Sequence, residues 1–216
     1  MIPLTDETRR PAKFPLVTAL LIGINFAVFI VELVAGDPFI NAWATRSADI
    51  SSGHRLDTLL TSMFMHASWS HIIGNMVFLW AFGPQIEDAM GKLRYAAFYL
   101  AGGIVASLAE VAVDPSSTVT SLGASGAIAA VMGAFLVTYP RDQIRTVLLL
   151  GWFARVTFVP AVLLIGLWLL TQFVSLGAVT EEQSGGVAYM AHVGGAVFGA
   201  ATARFFERSR SEEVWR

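Results

Sequence analysis

The sequence has 216 residues, of which 55% are hydrophobic and only 14% charged, with a formal net charge of −2 and no cysteine. So apolar a composition excludes an ordinary soluble domain of this length, and the absence of cysteine excludes a disulfide framework and any cysteine-based metal or redox site. We therefore expect a polytopic membrane protein.

Six apolar runs follow one another along the chain, at roughly 14–35, 69–87, 95–113, 121–139, 156–178 and 187–206. Each is about as long as a helix that crosses a roughly 30 Å hydrocarbon core. The first run is too long for a signal-peptide core and lacks a cleavage site, so we expect it to be retained. The prediction is an all-α fold, a six-transmembrane-helix bundle over 14–206, with an N-terminal segment at 1–13 and a C-terminal tail at 207–216.

The basic residues indicate the orientation, because lysine and arginine are enriched in cytoplasmic loops. With the N-terminus placed inside, only Arg46 and Arg55 of the 14 fall outside. This asymmetry predicts that both termini are cytoplasmic and that the long first loop, about 36–68, is external. The stretch "RDQIRTVLLLGWFAR", with basic ends and aromatic residues, suits an interfacial segment before the fifth run.

Polar residues occur near the outer ends of three runs with the same direction. His71 and Asn75 lie in the second run, Ser125 lies a little over one turn into the fourth, and His192 lies about a turn and a half into the sixth. A single histidine or serine in a membrane helix also has a plain interpretation as a hydrogen-bonded packing residue. Their common depth favours a shared site.

Such a set permits nucleophilic acyl transfer. A serine hydroxyl becomes nucleophilic when an imidazole takes its proton, and the resulting oxyanion needs fixed hydrogen-bond donors. Ser125 and His192 fit the first requirement. His71 and Asn75 are four residues apart on one helical face, and with the backbone N–H of Ser125 they fit the second.

Glycines surround the candidate residues. Gly123 allows the backbone to turn into the helix, and Gly126 leaves room beside the serine. Gly195 and Gly199 form a small-xxx-small pair that follows His192. A close contact between the fourth and sixth runs is the expected result, although this pattern is common in membrane helices.

These residues resemble the signature segments of the rhomboid intramembrane serine proteases: "GASG" around Ser125, "AHVGGAVFG" around His192, and "HASWSHIIGN" from His66 to Asn75. The resemblance covers nearly the whole chain. It implies a Ser125–His192 dyad without an acidic third member, an oxyanion site of His71, Asn75 and the Ser125 amide, and cleavage of transmembrane protein substrates near the outer membrane face. The residues themselves show no metal-ligand spacing and no sign of a cofactor or a nucleic-acid partner, so the expected partners are transmembrane protein substrates and the lipid bilayer.

Two departures from the family pattern raise questions about the site. The first loop has Asp57 and Thr58 where rhomboids often carry Trp-Arg, so its internal anchoring is expected to differ. The position four after the serine is often aromatic and packs on the catalytic histidine, but here it is Ala129. Another residue must then orient His192.

Two alternatives belong to other classes. A secondary transporter would show internal repeats and a site near the bilayer midplane, and neither feature is evident. A non-catalytic rhomboid-like protein that binds membrane clients would be expected to lack Ser125 or His192, and both are present.

Glu32, His66 and Glu110 are interpreted as structural polar groups. The short termini suggest a prokaryotic plasma membrane, and the oligomeric state is left open.

Overall fold

The computed structural model describes residues 1–150, 153–178 and 189–208. Within these residues, six long helices coincide within a few residues with the six apolar runs, and three short α-helices lie in the first loop. In chain order the helices are α1 (Leu16–Ala35), α2 (Asp37–Trp43), α3 (Ser47–Ser51), α4 (Thr58–Thr61), α5 (Trp69–Met90), α6 (Lys92–Val113), α7 (Ser125–Thr138), α8 (Ala161–Ala178) and α9 (Tyr189–Phe206). Most of the predicted tail at 207–216 lies outside the described residues.

The structure contains strands as well as helices, so the all-α prediction is incomplete. Strands β1 (Ile2–Asp6), β4 (Gln143–Leu150) and β5 (Phe153–Pro160) form an antiparallel sheet in the order β1-β4-β5. Its last strand occupies the beginning of the run predicted as a fifth span, which becomes helical only at Ala161. Residues 153–160 form a strand because they pair with β4. Strand β4 also pairs with β1 from the distant N-terminal segment, and this contact is not visible in the local sequence.

The start of α1 is capped by a side chain from α5. Pro15 precedes the helix and supplies no side-chain cap. The Glu87 carboxylate instead accepts the N–H groups of Val17 and Thr18 at 2.9 and 2.8 Å, and the Thr18 hydroxyl at 2.9 Å. A buried carboxylate at a helix N-terminus satisfies free amides and complements the helix dipole, which ties α1 to α5 at this end.

The core and the outer surface of the bundle are both apolar. The largest fully buried side chains include Tyr95, Tyr99 and several phenylalanines. Apolar side chains are also exposed on the outside of α1, among them Leu20 at 55% and Val34 at 85%. Among the described helices, α1 and α6 are long and apolar enough to cross a membrane. A bundle that is apolar inside and outside suits a lipid environment.

The first loop is docked against the segment that leads into α7. Strand β2 (Thr45–Arg46) pairs with β3 (Thr120–Ser121), and the Gly123 N–H donates to the Ser62 carbonyl at 2.9 Å. Arg55 anchors the loop from inside, because its guanidinium donates to the carbonyls of Asn41, Ala42 and Ala44. An arginine two positions before Asp57 thus provides internal anchoring in this loop.

Asp6 is a buried carboxylate in the sheet. Its Oδ1 accepts the N–H groups of Thr8 and Arg9 at 2.8 and 3.2 Å, and its side chain lies near Asp142. Burial is the largest effect and raises the pKa of Asp6 to about 6, while the two backbone donors oppose the shift and Asp142 adds to it. Ionised Asp6 therefore costs stability.

We predict that Asp6→Asn stabilises the protein at pH 8, because Asn keeps the Oδ1 acceptor and carries no charge. A folded pKa above the unfolded value means that the Asp6 contribution is fully present below about pH 3.8 and is lost as the pH rises through about 6. The gain should be at most about 3 kcal/mol at pH 8 and should disappear toward pH 4. Thermal unfolding in detergent at both pH values measures it. The exposed Asp57→Asn serves as control, and an equal effect of the two substitutions would contradict the prediction.

Candidate active site

Ser125 and His192 are brought together by the packing of α7 against α9. The Oγ of Ser125 lies 2.7 Å from Nε2 of His192, and the imidazole is 7% exposed. The sequence placed Ser125 a little over one turn inside the apolar run. In the structure it is the first residue of α7. This short contact lets the imidazole accept the hydroxyl proton.

The approach of the two helices depends on glycine. A Cβ at Gly195 would collide with the carbonyl of Gly126, and one at Gly199 would collide with the carbonyl of Ala130. From the other side, a Cβ at Gly133 would collide with the Ala196 carbonyl. The small-residue face of α7 therefore meets α9 backbone to backbone, as membrane helices with such faces do.

Gly126 and Gly123 create the space immediately around the serine. A Cβ at Gly126 would lie 2.6 Å from the Ala106 Cβ, so this glycine also lets α6 approach. Gly123 has φ +134°, a conformation that disfavours side chains. A Cβ there would lie 2.9 Å from the His71 ring and 3.7 Å from Ser125 Oγ. His71 and Ser125 thus flank the same point beside Gly123.

Backbone amides at the start of α7 supply further donors. The first intrahelical bond runs from the Ile128 N–H to the Ala124 carbonyl at 3.0 Å. The N–H groups of residues 125–127 precede it and belong to the helix N-terminus, where amides lack intrahelical acceptors and the dipole favours negative charge. An oxyanion formed at Ser125 would develop next to these groups.

Asn75 contacts a histidine that the sequence analysis interpreted as structural. Its Nδ2 lies 2.9 Å from Nε2 of His66, and the His66 and His71 rings pack edge to face at 5.0 Å. The backbone N–H of His66 donates to both carboxylate oxygens of Glu32 on α1 at 3.0 and 3.2 Å. Burial, with a smaller effect of His71, lowers the pKa of His66 to about 3, so its ring is neutral at physiological pH.

His71 lies in the first turn of α5, which has a helix cap. The Ser68 hydroxyl accepts the His71 N–H at 3.2 Å, which fixes the first turn of the helix. Since Asn75 follows one turn later, the same cap orients both predicted oxyanion residues.

Trp168 on α8 packs against His192, with ring centroids 5.2 Å apart and an interplanar angle of 45°. Ala129 on α7 has no aromatic ring to make such a contact, and nothing in the sequence pattern identifies Trp168 as its replacement. Glu110 on α6 accepts the N–H of Ala191 at 3.1 Å, which holds the turn that carries His192. Within the described residues, no group of three metal-ligating side chains of the His, Cys, Asp or Glu type is present.

The described residues thus place a hydroxyl–imidazole pair beside helix N-terminal amides, inside an apolar helical bundle. The sequence model of the Rhomboid domain matches residues 53–209, a span that contains His71, Asn75, Ser125 and His192. The chain belongs to the Rhomboid family.

Relatives come from mitochondria and from a bacterium. "RHOMBOID-like protein 12, mitochondrial" of Arabidopsis thaliana is 33% identical over 83% of this chain and 55% of its own length. The human "Presenilin-associated rhomboid-like protein, mitochondrial" is 27% identical over 65% of this chain and 35% of its own. The Bacillus subtilis protein "Putative rhomboid protease YdcA" is 32% identical over 36% of this chain and 39% of its own. The chain thus spans about half or less of these relatives.

We predict that Gly199→Ala destabilises the protein by about 1–3 kcal/mol, the usual cost of overpacking a tight contact, because the new methyl group meets the Ala130 carbonyl. The control is Gly166→Ala on α8, where nothing lies within 4 Å of the added Cβ; helix propensity should make that change neutral or stabilising. Unfolding temperatures in detergent compare the two, and equal stability of the two variants would contradict the argument.

Proposed function

We propose that this protein is an intramembrane serine protease that cleaves transmembrane segments of other membrane proteins. The observation that carries the proposal is the 2.7 Å contact between Ser125 Oγ and His192 Nε2. Family membership supports it, and the apolar exterior suits a substrate that arrives through lipid.

The reaction starts at the hydroxyl. As Ser125 Oγ attacks the scissile carbonyl carbon, its proton passes to Nε2 of His192, and the carbonyl oxygen becomes an oxyanion. Collapse of the tetrahedral intermediate breaks the C–N bond, and the imidazolium gives its proton to the leaving amine. Water, deprotonated by the same imidazole, then hydrolyses the acyl-enzyme.

The oxyanion would be stabilised by the amide of Ser125 together with His71 and Asn75. The flank of Gly123 that His71 and Ser125 share supports the role of His71. The Asn75 amide nitrogen carries two protons. One can be donated to the neutral Nε2 of His66, which leaves the second for the oxyanion.

The location in the cell is proposed only in outline. We propose an integral membrane protein with both termini on the cytoplasmic side, as the basic residues indicate. The named relatives are mitochondrial or bacterial. The mitochondrial relatives do not fit the expectation of a prokaryotic plasma membrane, so the proposal is limited to an integral membrane protein.

The central test is cleavage of a single-span reporter in liposomes by purified wild type, Ser125→Ala and His192→Ala. We expect cleavage by wild type and none above background by either variant, because each removes one half of the proton-transfer pair. Labelling by a fluorophosphonate probe should be lost in Ser125→Ala in parallel.

The control is Gly166→Ala, which should cut at the wild-type rate. Cleavage by Ser125→Ala at the wild-type rate would contradict the mechanism. A wild type that neither cuts the reporter nor reacts with the probe would instead indicate a non-catalytic rhomboid-like protein that binds membrane clients.

His66 acts in this scheme as a positioning residue for Asn75. We predict that His66→Ala lowers kcat about 10- to 100-fold with little change in KM, because the amide loses the acceptor that orients it. His66→Gln, whose side-chain oxygen can accept the same proton, should restore part of kcat.

A purely structural role of His66 predicts a different result. In that case both variants would lose activity in proportion to their unfolding temperature in detergent, and Gln would give no rescue at equal stability. Steady-state cleavage at several reporter-to-lipid ratios separates kcat from KM.

A further inference from the structure

The sheet β1-β4-β5 has two unlike faces. One face is turned into the protein, where Ile144 and Thr146 of β4 are fully buried. The opposite face carries apolar side chains that remain exposed: Ile2 at 39%, Val156 at 50% and Phe158 at 59%. The register aligns them across the strands, because Ile2 and Val156 both pair with Val147. We call Ile2, Val147, Val156 and Phe158 the outer sheet face.

The outer sheet face continues into the apolar exterior of α8. Strand β5 ends at Pro160 and α8 begins at Ala161, so no loop separates them. Exposed apolar side chains follow along the helix, namely Val162, Leu163, Leu167 and Leu170. Since the exterior of the helix suits lipid, the same surface reaches the strands without interruption.

The charges of this segment have one sign. Residues 143–160 contain Arg145 and Arg155 and no acidic residue. Both arginines are exposed. Arg145 pairs with Phe158 on the outer sheet face and lies 3.5 Å from Glu7, whereas Arg155 pairs with Leu148 and lies on the other side of β5. Aromatic and aliphatic side chains flanked by arginines are the composition of surfaces that lie at the boundary of headgroups and acyl chains, where the guanidinium groups meet anionic lipid.

We propose that the outer sheet face rests in the headgroup–acyl boundary of the lipid leaflet at the N-terminal end of α8, so that the sheet is an interfacial anchor of the bundle. Lipid, rather than a protein partner, is the occupant because the face is continuous with the exterior of α8, and because the charged residue of β4 and β5 that the register places on this face, Arg145, is basic. The inference is independent of the protease activity.

The experiment uses the natural absence of cysteine, which makes every introduced cysteine unique. Phe158→Cys and Val156→Cys are labelled with the environment-sensitive fluorophore NBD. The proteins are placed in nanodiscs of phosphatidylcholine and phosphatidylglycerol, which leave both membrane faces open to added quenchers. Leu167→Cys on α8, 46% exposed, gives the lipid-facing reference, and the exposed Arg10→Cys gives the water-facing reference.

If the proposal is right, both labels on the outer sheet face emit at shorter wavelength than the Arg10 label. They are quenched by nitroxide-bearing lipids to an extent close to the Leu167 label, and they are protected from iodide. Labels that match the Arg10 reference in emission and iodide quenching overturn the proposal and leave the face open to a protein partner. Two positions are labelled because one substitution could disturb the fold, which a lowered unfolding temperature would reveal. The other position then provides the test.

Discussion

The backbone contact between α7 and α9 is the constraint on which the rest of the site depends. Side chains at Gly195 and Gly199 would enter the space of carbonyl groups on α7, and a side chain at Gly133 would enter the space of a carbonyl on α9. Because no side chain separates the two helices there, the 2.7 Å distance from Ser125 to His192 follows from backbone positions. A flexible pair of long side chains would have paid for the same contact with conformational entropy.

The main features of the bundle could be predicted from the sequence because they are local. The apolar runs have the length of a membrane crossing, and the small residues of α7 and α9 identify the faces that meet. The position of Ser125 at the helix start was less accessible. The residues before it are drawn into β3 and the Gly123–Ser62 hydrogen bond, so their backbone groups are paired with the first loop instead of with a helical turn.

Contacts between distant segments account for what sequence reasoning missed. The sheet requires pairing between Ile2–Asp6 and residues more than a hundred positions later. The alternation of residue types in "ARVTFVP" is nevertheless a local signal of a strand. Trp168 could not be assigned to His192 because nothing in its spacing links α8 to α9. His66 was recognised as a hydrogen-bonding residue, but its partner Asn75 became evident only from the fold of the loop.

The polar groups of the site are held from helices that take no part in the chemistry. Glu32 on α1 binds the backbone of His66, which contacts Asn75, while Glu110 on α6 binds the backbone of Ala191 beside His192. Each carboxylate accepts a hydrogen bond from a backbone N–H group. Without an acceptor, that N–H group would destabilise the fold in its apolar surroundings. The proposed hydrolysis requires water at Ser125, whereas these supporting hydrogen bonds are strongest where water is excluded. Both carboxylates bind backbone N–H groups, so the proposed reaction at Ser125 can take up water without breaking the hydrogen bonds that hold the segments of His66 and His192.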